Sequence, residues 1–226
     1  MGSGPHSLGA DSQPAPAAPV KRPERKGPFL VVGLGNPGLE YAWTPHNAGF
    51  MALDRLANQA GVEVSNRRCR AQTATTRIAG REVILAKPET FMNLSGEAVC
   101  LLLKEFEADP FEDLIVIYDD LDLTLGRAQM KERGSPAGHN GARSVSGTLR
   151  SNDWLRVRIG VGPNLPPEAI AAGAASKTGK DYLLSPMRKA ELAVLDGVLD
   201  RVATAVRVVV EQGVAAAMNE LNRREP

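Results

Sequence analysis

Cysteine, histidine and aromatic residues are all scarce in this chain, and each shortage removes a class of function. Its 226 residues contain two cysteines, Cys69 and Cys100, and three histidines, His6, His46 and His139. Two thiols cannot build a disulfide framework, and no Cys/His spacing of the zinc-binding kind occurs, so an intracellular protein without metal or cofactor is expected. Aromatics make up 4% of the residues, too few for the stacking platforms on which single-strand binders lay successive bases. No apolar run approaches the roughly 18 residues of a membrane span. Charge of one sign is also missing, with 27 Lys and Arg against 26 Asp and Glu. A generally basic coat for nucleic acid is thereby excluded, although the total leaves open where the charges sit.

What is present begins with a tail. Residues 1–28 hold six prolines, four glycines and a late basic cluster, Lys21, Arg22, Arg25 and Lys26, with almost no large apolar side chain. This composition predicts disorder, and the basic cluster keeps an organellar address open beside the default cytoplasmic one. From Phe29 to the end, residues 29–226, short β-rich runs alternate with helical periodicity, which predicts one α/β domain. Strands are expected at Phe29–Leu34, Gln72–Ile78, Glu82–Ala86, Leu114–Tyr118, Arg127–Lys131 and Leu155–Val161. Helices are expected at Asn47–Ala60, Ser95–Phe106, Asn140–Leu149 and Met187–Gln212, with a short one after Gly213. The Gly/Pro/Ala-rich stretch 162–180 reads as a mobile loop.

Gly33-Leu34-Gly35-Asn36-Pro37-Gly38 follows a strand and matches the dinucleotide fingerprint G-x-G-x-x-G. That fingerprint needs a helix opening on the glycines, whereas Pro37, Trp43 and Pro45 delay helical periodicity to about Asn47. The acid required about 20 residues on should end a second strand, yet the candidate, Asp54, falls inside a helical stripe. A nucleotide-dependent oxidoreductase is therefore disfavoured.

The ends of the expected strands carry a different chemistry. Asn36 and His46 follow the first strand, Asn93 follows the hairpin that Gln72–Ile78 and Glu82–Ala86 form around Ala79-Gly80, Asp119 follows the apolar run Leu114–Tyr118, and His139-Asn140 precede a helix. Loops at the carboxyl ends of strands meet at one rim, so these groups can share a cleft. A histidine held by a carboxylate is a general base, and neutral amides can hold a carbonyl and a water. No nucleophile motif such as G-x-S-x-G is present, which favours attack by activated water over a covalent intermediate. Taken alone, the base is His46 or His139, its partner is Asp119 or one of its neighbours Asp120 and Asp122, and Asn140 is open to a capping role on its helix.

Seven ordered strings, Val32-Gly33-Leu34-Gly35-Asn36-Pro37-Gly38, Glu40-Tyr41, His46-Asn47-Ala48-Gly49, Phe91-Met92-Asn93-Leu94-Ser95-Gly96, Asp119-Asp120-Leu121-Asp122, Gly138-His139-Asn140-Gly141 and Arg158-Ile159-Gly160-Val161-Gly162, resemble the bacterial-type peptidyl-tRNA hydrolase family. The resemblance runs from about Phe29 to the C-terminal helices. It implies a single α/β domain with a twisted, mixed and largely parallel sheet wrapped by helices, usually monomeric. It also implies metal-free hydrolysis of the ester between peptide and tRNA, which frees tRNA and rescues stalled translation products. Carried onto this chain, His46 is the catalytic base, Asp119 orients it, and Asn36 senses the peptide side. Asn93 and Asn140 bind the ester and terminal nucleotide, Tyr41, Phe91 and Met92 supply contact surface, and His139 assists from the cleft edge.

Between Arg127 and Arg158 seven basic residues face two acidic ones, while Glu97 to Asp122 holds nine acidic and one basic. Lys131 and Arg158 are thus expected on tRNA phosphates, with Arg133 and Arg143 helping. The sequence departs from the family pattern at Pro45, where a basic residue is common, at Pro136-Ala137, and in the extended Ala-rich stretch 163–180. The rival reading is a non-catalytic RNA-binding relative of the same fold, such as an organellar splicing cofactor.

Overall fold

Alternation along the central strands decides how the molecule is layered. The computed structural model describes residues 27–162 and 179–223, so the tail and most of the 162–180 stretch singled out above lie outside the described residues. The described strands are β1 (Phe29–Gly33), β2 (Asn66–Arg68), β3 (Ala71–Ile78), β4 (Arg81–Pro88), β5 (Leu114–Thr124), β6 (Ala128–Lys131) and β7 (Leu155–Gly162). They form one sheet in the order β2-β3-β4-β1-β5-β7-β6. The inner strands β4, β1, β5 and β7 run parallel, and antiparallel pairings close both sides. The sheet is therefore mixed and largely parallel, as the sequence pattern predicts.

The helices are α1 (Ala48–Gln59), α2 (Ser95–Glu105), α3 (Asn140–Leu149), α4 (Gly179–Leu183), α5 (Lys189–Gln212) and α6 (Val214–Leu221). Side chains two residues apart share a face of a strand. Phe29, Val31, Ile115 and Ile117 therefore pack with α1, α5 and α6. Leu30, Val32, Leu114, Val116 and Tyr118 turn the other way and pack with α2 and α3. Each fully buried Leu or Val contributes about 1.5–3 kcal/mol before the entropy of ordering is counted. After β1 the chain passes through α1 to strands on one side; after β4 it passes through α2 to β5 on the other. Such a reversal opens a crevice beyond the carboxyl ends of the central strands.

The glycine motif has a packing role. A Cβ on Gly33 would lie 2.3 Å from the carbonyl oxygen of Gly49, and one on Gly49 would lie 2.4 Å from that of Ile117. The first turn of α1 thus rests directly on β1 and β5, a contact closer than any side chain permits.

Two expectations need correction. β5 does not close at Tyr118 but continues through Asp119-Asp120-Leu121-Asp122 to Thr124. Ladder pairing of Asp119 with Ile159 and of Asp120 with Gly160 carries the backbone on, and a register shift follows before Thr124. Strand β2 has no counterpart in the sequence pattern because its three residues are all exposed and show no alternation.

Candidate active site

His46 sits in a 3-10 turn, Pro45–Asn47, that leads straight into α1, with Pro45 pre-setting the first φ of the turn. The close seat of Gly49 on β5 brings this turn over the strand that carries Asp119. His46 Nδ1 lies 2.8 Å from Asp119 Oδ1, and His139 Nε2 lies 2.9 Å from the same oxygen. The Asp119 side chain is fully buried. Burial by itself works to raise its carboxyl, but hydrogen bonds and charge from His139 and His46 prevail and hold it well below the usual carboxylate range. An ionised carboxylate only accepts, so both histidines must donate to it.

This requirement fixes the tautomers. The Ala142 backbone N–H donates to His139 Nδ1 at 3.1 Å, so the ring proton of His139 lies on Nε2 and is given to Asp119. His46 gives its Nδ1 proton to Asp119, which leaves Nε2 as its basic nitrogen. The cap on α3 is thus the side chain of His139, not that of Asn140. His139 also lies deeper than the cleft edge expected for it, its side chain 6% exposed and its ring 5.0 Å from that of His46. One Asp and two His are plausible metal ligands by type, and their atoms lie within 4.8 Å of one another. Both nitrogens, however, are occupied as proton donors to one oxygen, so the geometry is that of a hydrogen-bonded triad.

Asn36 is held from two directions. Its backbone N–H donates to Asn47 Oδ1 at 2.9 Å, while Asn47 Nδ2 donates back to the Asn36 carbonyl at 3.0 Å. The Met92 N–H donates to Asn36 Oδ1 at 3.0 Å, which turns the side chain so that Nδ2 is the group it can offer. Asn47 is a supporting residue that is not among the expected site residues, although it stands next to His46 in the same string.

These groups line a cleft of about 640 Å³. Nine of the eleven residues expected at the site, Asn36, Tyr41, His46, Phe91, Met92, Asn93, Asp119, His139 and Asn140, are on its wall, joined by Asp120, Asp122, Lys180, Leu183 and Leu184. Lys131 and Arg158 are not. Arg158 Nε donates to Asp120 Oδ2 and its Nη1 to Gln129 Oε1, so its charge is already matched. Arg156 is 1% exposed. The count of seven basic residues therefore overstates the cationic surface, because two of them are consumed inside the fold. Asn93, Asn140 and Phe91 stand at the exposed side of the cleft.

Similarity to known proteins gives the family. The family model described as peptidyl-tRNA hydrolase matches residues 30–226. The chain belongs to the peptidyl-tRNA hydrolase family. It is 59% identical over 197 residues to the peptidyl-tRNA hydrolase of Acidobacterium capsulatum, covering 87% of this chain and 96% of that one. To the peptidyl-tRNA hydrolase of Koribacter versatilis it is 48% identical over 195 residues, covering 86% and 92%. The crystal structure of peptidyl-tRNA hydrolase from Acinetobacter baumannii superposes with a TM-score of 0.76 at 33% identity, covering 88% of this chain and 96% of that one. Among the described residues no helix of this peptidyl-tRNA hydrolase family member is long and apolar enough to cross a membrane.

Proposed function

We propose that this protein hydrolyses the ester joining a peptide to the terminal ribose of tRNA, with His46 as general base on water and Asp119 orienting it. The observation that carries the reading is the shared oxygen of Asp119, which fixes the protons of two histidines and leaves Nε2 of His46 unprotonated on a ring that lines the cleft.

His46 Nε2 takes a proton from water as the water oxygen bonds to the ester carbonyl carbon. The buried, ionised Asp119 stabilises the imidazolium that results without itself taking the proton. Negative charge gathers on the carbonyl oxygen, and the Nδ2 donor of Asn36 and the open amides at the start of α3 are the neutral donors available to it. When the tetrahedral intermediate collapses, the ribose oxygen leaves with the proton from His46, giving free peptide and free tRNA. A cleft of this volume suits a terminal nucleoside and one or two residues of peptide, while the rest of the tRNA stays outside. Phe91, 63% exposed at the rim, offers a ring face to a base.

Release of peptide from an N-acetylaminoacyl-tRNA tests the reading. Wild type turns over, and His46→Asn, folded by circular dichroism, does not. A wild type without turnover that still binds structured RNA would instead favour the non-catalytic relative.

A further inference from the structure

Arg156 is the one arginine of the described sheet that is almost wholly sealed from water, at 1% exposure, and among the described residues it forms no ion pair. Burying a guanidinium without a carboxylate is costly unless its donors are met. Here they are met in part by backbone: Nη1 donates to the Ser135 carbonyl at 3.1 Å and Nη2 to the Asn152 carbonyl at 2.8 Å, while the buried Nε has no hydrogen-bond partner among the described residues. The guanidinium stacks 3.7 Å over the ring of Trp154. Burial pushes its pKa below the ordinary value, against the opposing pull of the Tyr118 hydroxyl beside it.

Both carbonyls belong to the frame of a single loop. Ser135 lies in the loop that delivers His139, and Asn152 also accepts from the Gly134 N–H at the start of that loop. Ala137 holds a left-handed φ of 47°, a conformation that a residue with a side chain keeps only under restraint. The Tyr118 ring, 4.8 Å from the His139 ring and 6.3 Å from Trp154, fills the space between the arginine stack and the histidine. Alternation along β7 puts Arg156 on the α3 side of the sheet, behind the cleft wall rather than in it.

We propose that Arg156 is a positioning residue of the reaction, a buried strut that holds the 134–138 loop so that His139 meets Oδ1 of Asp119 and shares it with His46. The inference rests on the reading of His46 as base. His139 and His46 compete for one oxygen. When His139 is displaced, that oxygen serves His46 alone and the imidazolium formed in the reaction is held more tightly. The charged and titratable groups facing this pair are Asp119 between them, Tyr118 behind His139, and Asp120, Asp122 and Lys180 on the cleft wall; none is altered in the variants used.

The test compares wild type, Arg156→Met, Arg156→Lys and His139→Ala in pH profiles of N-acetylaminoacyl-tRNA hydrolysis, with ¹⁵N NMR of the histidine rings. In Arg156→Met, kcat falls about tenfold or more while KM stays within about threefold, because the amides at the start of α3, carried on the same loop as His139, no longer meet the developing oxyanion. The acid limb of its profile moves to higher pH, in the same direction as that of His139→Ala, and the His139 nitrogens lose their fixed Nε2–H pattern. Arg156→Lys, which reaches one carbonyl, recovers part of the loss. A folded Arg156→Met with wild-type kcat, acid limb and His139 nitrogen shifts, even with a lower Tm, overturns the proposal. Should the methionine variant not fold, Arg156→Lys decides by the same readouts, wild-type values again overturning it. A His46→Asn variant that remained active would instead sink the reading of His46, and the NMR pattern of His139 distinguishes that failure because it needs no turnover.

Discussion

Beneath α1, α5 and α6 the sheet presents Phe29, Val31, Ile115, Ile117, Val157 and Ile159. Beneath α2 and α3 the same strands present Tyr118, Arg156 and Arg158 among Leu30, Val32 and Val116. One face is an apolar seal that can be reasoned about by area alone. The other buries polar groups whose cost is offset only by specific partners, Arg156 by two carbonyls and Arg158 by Asp120 and Gln129, while Asp119, opposite Ile159 in the ladder, turns back to the first face at its rim and is met there by two histidines. The strand period of two thus separates an apolar interior on the first face from buried positioning groups on the second, and the two meet at the rim where Asp119 sits. Substitutions on the two faces should therefore fail in different ways.

The largest expected effect is on the cleft side. His46→Asn should lower kcat by about 10²–10⁴-fold, with a Tm close to wild type, measured by peptide release and by thermal unfolding. Next comes Asp119→Asn, which removes the acceptor that orients His46 and should cost about 10²-fold or more in kcat. Its stability effect has a sign that can be worked out. The native carboxyl of Asp119 is depressed, so its contribution is complete above the unfolded carboxylate value of about 4 and is lost as pH falls below it. The Tm gap between wild type and Asp119→Asn should therefore be widest near neutrality and narrow in acid; a gap constant from pH 7 to pH 2 would contradict the depressed carboxyl.

On the apolar face, Leu195 of α5 is 1% exposed and does not line the cleft. Leu195→Ala should cost about 2–5 kcal/mol through lost transfer energy and the cavity left behind. Folded molecules should keep wild-type kcat and the wild-type pH profile. A Leu195→Ala protein with a changed acid limb would show that the two faces are coupled after all.

The apolar face was also the more legible in sequence. Its alternation and helical stripes predict β1, α1, β7 and α5 to within a few residues, and the start of β5, because burial writes a period that needs no partner to be recognised. The polar face and the rim it shares with the cleft are legible only in part. Asn36, His46, Asn93 and Asp119 can be gathered to one rim from strand order alone. What pairs with what cannot, because Arg158 reaches Asp120 across 38 residues and Asp119 meets His46 across 73. Asp is depleted in strands, so Asp119-Asp120-Leu121-Asp122 reads as a strand end, yet ladder pairing with β7 and the partners of the carboxylates keep β5 going. The capping role of His139 lay outside the usual N-cap residues and was hidden behind Asn140.

The smallest effect belongs to Lys131, and it tests where the polar face reaches solvent. Met130 points into the apolar core, so Lys131 lies on the opposite side of β6, paired across the ladder with Arg156. Arg156 is buried and Arg158 is ion-paired, which leaves Lys131 as the cation of this strand pair that is neither sealed from water nor ion-paired among the described residues. The backbone of Met130 is pinned by Asn222, which accepts from its N–H at 2.7 Å and donates to its carbonyl at 3.0 Å, so the lysine starts from a fixed base. If Lys131 meets one tRNA phosphate, Lys131→Ala should weaken binding severalfold and reduce the slope of log affinity against log salt by about 0.7–0.9. Hydrolysis of a minimal ester that lacks the tRNA body should be untouched, since Lys131 does not line the cleft. An unchanged salt slope would take Lys131 off the tRNA path and leave Arg133 and Arg143, both exposed, as the cations to test next.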